Sequence, residues 1–255
     1  MAEVYVSILT DSISNGNRFA RITGTVRNTD ADWELFAQRD PYWAVLTASE
    51  FLRDNLDETS RAAFFRNGEA TIAHGMQTMQ KYFGCRHQFE VALDFGCGVG
   101  RLLFPLARRS RLAIGVDVSP SMLEECGKNA AGFEIGNVLL RQSDDELTQV
   151  QEYRGKVELL NSLLVLQHIP PSRGLEILGR LLDLLSPTCF GAIQLVTGAP
   201  RGESADDAGP VMEMNPYDLN AVIAMLHARG IGDIYCRLEN HDGLVGVVLY
   251  FHRKQ

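Results

Sequence analysis

Apolar and polar positions change their period once, near residue 85, and that change divides the chain. Between Asp30 and Gly84 the large apolar residues Trp33, Leu35 and Phe36, then Tyr42, Trp43, Val45 and Leu46, then Phe64, Phe65, Ile72, Met76 and Met79 recur at helical spacing. Asp40-Pro41 reads there as a helix start, the acid at the N-cap and proline at the first helical position. From residue 89 onward, short apolar runs at 89–93, 112–117, 137–142, 157–162 and 190–196 alternate with helical stretches. One such stretch, 173–185, places Leu175, Leu178, Leu181, Leu182 and Leu185 on one face, and Pro187 is expected to stop it. Strand and helix alternating over short connections predict a parallel sheet covered on both faces.

The tail departs from that rhythm. Pro216-Tyr217-Asp218-Leu219 begins a helix that ends at Gly230, and two strand-like runs follow at 234–238 and 244–251. The polar residues 239–243 between them predict a hairpin, so the last strand is expected antiparallel at the end of the sheet. Residues 1–28 read as an N-terminal arm, 29–85 as a helical cap or lid, and 86–255 as the core. The stretch 198–214, rich in Gly, Pro, Asp and Ala, reads as a loop over a substrate mouth or as a tolerated surface insertion.

Composition narrows the partners. The formal net charge of −8 repels polyanions and argues against a nucleic-acid substrate. The one basic run, Arg108-Arg109-Ser110-Arg111, falls at a predicted helix C-terminus, where cations match the helix dipole. No run of eighteen apolar residues and no signal-peptide pattern is present, so no membrane partner is expected. Five cysteines, odd in number and without a C-x-x-C pair, suit reduced thiols in a cytoplasmic protein. The six histidines show no metal-ligand spacing, and no metal is expected.

The chemistry concentrates where the first strand ends. Asp94-x-Gly96-x-Gly98-x-Gly100 follows the apolar run directly and precedes a helical segment, so bare backbone N–H groups face a helix start. A dinucleotide turn needs glycine where this chain has Arg101. Asp117 ends the second strand, placed to accept from both hydroxyls of a ribose. Ser143-Asp144-Asp145 follows the third strand.

This D-x-G-x-G-x-G form resembles motif I of the class I S-adenosylmethionine-dependent methyltransferases. Arg39-Asp40-Pro41-Tyr42-Trp43-Ala44-Val45-Leu46 and Phe64-Phe65-x-x-Gly68-Glu69 look like the N-terminal part of a group of small bacterial members. Leu163-Leu164-Val165-Leu166-Gln167-His168-Ile169-Pro170 is similar to their loop after the fourth strand. The resemblance implies an α/β fold with a Rossmann-like seven-stranded sheet, mostly parallel with the last strand antiparallel, helices on both faces and an N-terminal helical cap. It implies S-adenosylmethionine as cofactor, with S-adenosylhomocysteine as product. The residues it assigns to that cofactor are Asp94, Gly96, Cys97, Gly98, Asp117, Val118, Met122, Ser143, Asp144, Asp145, Asn161 and Leu163. Among them, residues 94–98 would take the methionine part, Asp117 the ribose, and Asp144 the adenine amino group, with Asp145 as its alternative. Both of these last acids could instead cap the next turn.

The acceptor is then a small molecule, methylated on oxygen or nitrogen by in-line transfer, and no Asn-Pro-Pro-Tyr motif of base methylation occurs. Tyr42, Trp43, Phe65 and Gln167 would line its pocket, or the three aromatics could only join cap to core. His168 is a base toward the acceptor, or a hydrogen-bonding residue that orients its loop. Two other functions fit parts of the pattern: a non-catalytic cofactor-binding protein of the same fold, and a nucleotide-dependent α/β enzyme such as a dehydrogenase. A monomer and a homodimer are equally compatible with the sequence.

Overall fold

The computed structural model describes residues 29–198, 212, 214–241 and 244–254. The arm expected at 1–28, nearly all of the 198–214 insertion and the hairpin-turn residues 242 and 243 lie outside the described residues.

Seven strands form one sheet in the order β3-β2-β1-β4-β5-β7-β6: β1 Phe89–Phe95, β2 Ser110–Asp117, β3 Val138–Gln142, β4 Val157–Ser162, β5 Leu185–Gly198, β6 Asp233–His241 and β7 Leu244–Arg253. The first five are mutually parallel, and β7 runs antiparallel to both β5 and β6. The last strand is therefore not at the sheet's edge, where the hairpin alone would have placed it. Burial gives the reason. Val247, Leu249 and Phe251 enter the core on one face while Val248 and Tyr250 enter the core on the other. A strand apolar on both faces needs cover on both and neighbours on both sides. Strand β6 exposes Cys236 and Leu238 and takes the edge.

Helices α1 Asp30–Arg39, α2 Pro41–Val45 and α3 Glu58–Phe83 precede the sheet; α4 Leu103–Ala107, α5 Pro120–Gly132, α6 Pro171–Asp183 and α7 Leu219–Ala228 follow its strands. Helix α3 starts on a capping box, with Asp57 accepting from Ser60 N at 2.7 Å, and stops at Gly84 in the left-handed conformation. Its Ile72, Met76 and Met79 pack against Phe190, Ala192, Val248 and Tyr250, so α3 roofs one sheet face as well as carrying the cap. Helices α6 and α7 cover the other face through Ile177, Leu178, Leu181, Leu182, Val222 and Leu226. The expected stop at Pro187 lies elsewhere: α6 ends at Asp183, and Pro187 sits inside β5, where pairing with β4 shifts register. A residue without an N–H is tolerated at such an irregularity.

Candidate functional site

Strand β1 delivers the site. Gly96 N and Cys97 N both donate to Val116 O, so the chain stays bound to β2 while it turns. Gly96 (φ +74°) and Gly98 (φ +51°) take backbone that side chains resist, and both line a cleft at the carboxyl ends of the strands. A Cβ on Gly96 would strike Val165, and one on Gly98 would lie 2.9 Å from Val45 Cγ2. The cleft's empty space, its open mouth included, is about 1520 Å³.

Asp117 braces this turn. Its Oδ2 accepts Gly98 N at 2.8 Å and its Oδ1 accepts Ser119 N at 2.9 Å, and the residue lines the cleft. Burial among protein groups pushes its pKa up to about 6, although the N–H bonds from Ser119 and Gly98 oppose the shift. Asp94, 2% exposed, sits deeper. Asn161, its partner across β1 and β4, donates Nδ2 to Asp94 Oδ1 at 2.7 Å. Burial drives Asp94 up to about 7 even so, against the pull of Asn161 and of the Arg101 guanidinium. The buried Asp94 and the half-buried Asp117 thus both have their pKa raised toward neutrality.

Past β3, Asp144 Oδ1 accepts Thr148 N at 2.8 Å, which lowers its pKa and caps the 3-10 turn Thr148–Tyr153. Asp145 instead meets Arg173: the guanidinium bonds Asp145 at 2.6–3.0 Å and Asp30 of α1 at 2.8 Å through two nitrogens. This clasp joins the cap, the loop after β3 and α6 at the cleft wall.

Helix α1 is latched twice more. Glu34 accepts Ser119 Oγ at 2.6 Å and Ser121 Oγ at 2.5 Å at the start of α5, and those bonds hold its pKa low against its partial burial. Trp33 meets His168 edge to face, ring centroids 5.0 Å apart. His168 and Gln167 belong to the 3-10 turn Leu166–His168, both buried and both on the cleft. Gln167 Oε1 has no hydrogen-bond partner among the described residues.

Of the sequence-predicted residues, the cleft brings together Asp94, Gly96, Cys97, Gly98, Asp117, Val118, Met122, Ser143, Asp144, Asp145, Leu163, Gln167 and His168. Asn161 stands behind Asp94 rather than on the wall. Tyr42, Trp43 and Phe65 do not line it. Tyr42 is 4% exposed, its ring against Phe64 and its hydroxyl 2.9 Å from Asn129 Oδ1. Phe65 stacks on Phe104, and Trp43 lies beside Phe36. These three join cap to core; Trp33, Val45, Leu46 and Thr47 face the cleft in their place. Arg101 also lines it, donating to Asn67 Oδ1 at 2.8 Å. Sequence reasoning had noted Arg101 only as a departure from a dinucleotide turn. The Asp30–Arg173 pair, 143 positions apart, left no local signal.

A family model described as a methyltransferase domain matches residues 92–188, from β1 into β5. Residues 92–188 are thus similar to a methyltransferase domain, and the seven-stranded sheet that contains them has the Rossmann-like methyltransferase fold. A magnesium protoporphyrin IX methyltransferase from Synechocystis, solved with bound S-adenosylmethionine, shares the fold of this domain at TM-score 0.58 and 18% identity, over 91% of this chain and 100% of that one. A phosphoethanolamine N-methyltransferase of Haemonchus contortus, solved with phosphoethanolamine and S-adenosylhomocysteine, matches at TM-score 0.58 and 15% identity over 89% of this chain and 48% of that one. A curated relative, the 23S rRNA (uracil(1939)-C(5))-methyltransferase RlmD of Haemophilus influenzae, is 32% identical over 65 residues, 26% of this chain. The chain spans only 15% of that relative's length. The antiparallel β7, between β5 and the edge strand β6, is foreign to the 3-2-1-4-5-6 dinucleotide sheet.

Proposed function

We propose that this chain is an S-adenosylmethionine-dependent methyltransferase acting on oxygen or nitrogen of a small-molecule acceptor. One observation carries the reading: a glycine turn braced from below by Asp117 opens onto a cleft that the cap closes from above. The donor set suits the cofactor. The backbone of the turn at Gly96 and Gly98 lines the cleft where the methionine part would lie, the Asp117 carboxylate suits two ribose hydroxyls, and Ser143 and Asp144 lie on the adenine side. When bound, the cofactor supplies a methyl group already activated by sulfonium charge.

The remaining work falls to this chain's residues. Trp33, Val45 and Leu46 exclude water from the cleft, and alignment of the reactants is the main contribution such a site makes. Gln167 offers a buried amide to a polar group of the acceptor. His168 takes, at a ring nitrogen, a proton from a hydroxyl or amine that loses one. The basic run argues for a small acceptor over RNA: Arg108 and Arg109 pair with Glu69, and Arg111 with Glu90.

Calorimetry with S-adenosylhomocysteine, with NADH as control, tests the cofactor reading. Incubation of metabolite pools and of rRNA with methyl-labelled donor tests the acceptor. Binding of S-adenosylhomocysteine and label in a small molecule are expected; NADH binding, or label only in RNA, would sink the proposal.

A further inference from the structure

Leu164, on the cleft wall, is a non-glycine residue at φ +64°. A leucine in left-handed backbone is strained and needs its surroundings to hold it. The hold is visible: Leu164 N donates at 3.0 Å to Oε1 of Gln194, a β5 side chain that is 4% exposed. That bond fixes which way the carboxamide points, since only its oxygen can accept an N–H. The amide nitrogen then faces Oε2 of Glu239, 3.4 Å away on β6. Glu239 reaches Gln194 past β7, which presents Gly246 opposite Glu239 and so leaves the gap unfilled. Arg237 binds the other carboxylate oxygen of Glu239 and also contacts His74 of α3.

The strained residue has consequences for its neighbours. Val165 is seated directly on Gly96 of the cofactor turn, with no room for a Cβ between them. His168 N returns to Val165 O at 2.9 Å, which closes the turn that carries Gln167 and His168.

We infer that Gln194 is a positioning residue of the transfer site: its carboxamide, backed by Glu239 and Arg237, holds Leu164 left-handed and thereby seats Val165 on the glycine turn and Gln167 and His168 on the cleft wall. Its bearing on methyl transfer rests on the function proposed above; the geometry does not. Gln194 does not itself line the cleft and meets its wall through Leu164 N, so it acts through the loop.

Gln194→Met keeps length and volume but removes both polar contacts. Hydrogen exchange of residues 163–169, read by mass spectrometry without ligand, is expected to accelerate at least tenfold while exchange in β1 and β2 stays as it was. S-adenosylhomocysteine affinity, read by calorimetry, should fall by a similar factor. Adding Leu164→Gly, which takes φ +64° without strain, should recover most of that affinity. Unchanged exchange in the loop, a loss of protection spread evenly over the sheet, or no recovery in the double variant would overturn the inference. If Gln194→Met has no cooperative melt, Gln194→Asn is measured against the same outcomes. Wild-type protein that fails to bind S-adenosylhomocysteine while the exchange effect persists would refute the proposed function and leave the positioning role standing.

Discussion

Asp117 Oδ2 accepts the N–H of Gly98 at 2.8 Å, so the acid that ends β2 and the turn that ends β1 form one rigid unit. Asp117→Ala removes the brace and the proposed ribose acceptor together. S-adenosylhomocysteine affinity should drop by about 1–3 kcal/mol, the worth of a charge-assisted bond to a buried partner. Titration calorimetry reads this directly, and an unchanged dissociation constant would take Asp117 out of the site.

Asp94 and Asp117 titrate near 7 and 6 in the folded chain, both above the ordinary carboxylate range near 4. An acid with a raised folded pKa binds its proton more tightly folded than unfolded. The stability it contributes is complete below about pH 4 and is lost as pH rises toward 7. Without ligand, the melting temperature should therefore fall between pH 5 and pH 8. Asp94→Asn, which can still accept from Asn161, should flatten that slope and melt a few degrees above wild type at pH 8, with no such advantage at pH 4. Parallel slopes for the two proteins would contradict the assignment.

Gly68 of α3 lies so close to Arg101 that a Cβ would run into the Arg101 backbone carbonyl. A backbone neighbour cannot rotate away, so Gly68→Ala must push α3 off the glycine turn. A loss of about 2–4 kcal/mol in denaturant melts is expected, in the range of severe overpacking. A stable variant with normal cofactor binding would show that the cap docks more loosely than its geometry implies.

The Asp30–Arg173–Asp145 clasp predicts how the cleft opens. Arg173 is 17% exposed at its side chain and binds both acids, so Arg173→Gln leaves two carboxylates without their cation. Exchange across residues 30–39 should quicken, and the dissociation rate of S-adenosylhomocysteine should rise at least several-fold. Stopped-flow fluorescence of Trp33 against the Trp33→Phe background would report the rate. Equal rates in the two proteins would mean that ligand leaves by a route not covered by α1.

Much of this arrangement was legible in the chain. The period change near residue 85, the five parallel strands and the acids at their carboxyl ends are local signals, each contained within a few residues. Ser119 and Pro120 start α5 as their types dictate, with Met122 N donating to Ser119 Oγ. What escaped was settled between distant segments. Which cap aromatics face the cleft depends on a polar group far away: Asn129 anchors the Tyr42 hydroxyl and also donates to Val99 O, drawing Tyr42 into the core. Trp33 carries the same type of side chain but has His168 opposite it. The position of β7 likewise follows from burial on both faces, which a hairpin signal does not contain.

That position has a bearing on how the protein is made. While a ribosome is still adding residues 233–253, β5 has no partner on its outer side, and the unpaired N–H and C=O groups of that edge are open to pairing with other chains. The hairpin lies with its second strand against β5 and its first outside, the reverse of chain order. Only that arrangement brings Glu239 up to Gln194. The cleft wall therefore sets only after β6 and β7 have been made, and a nascent chain stalled before residue 239 would hold every residue proposed to face the cofactor yet keep its fourth-strand loop unset.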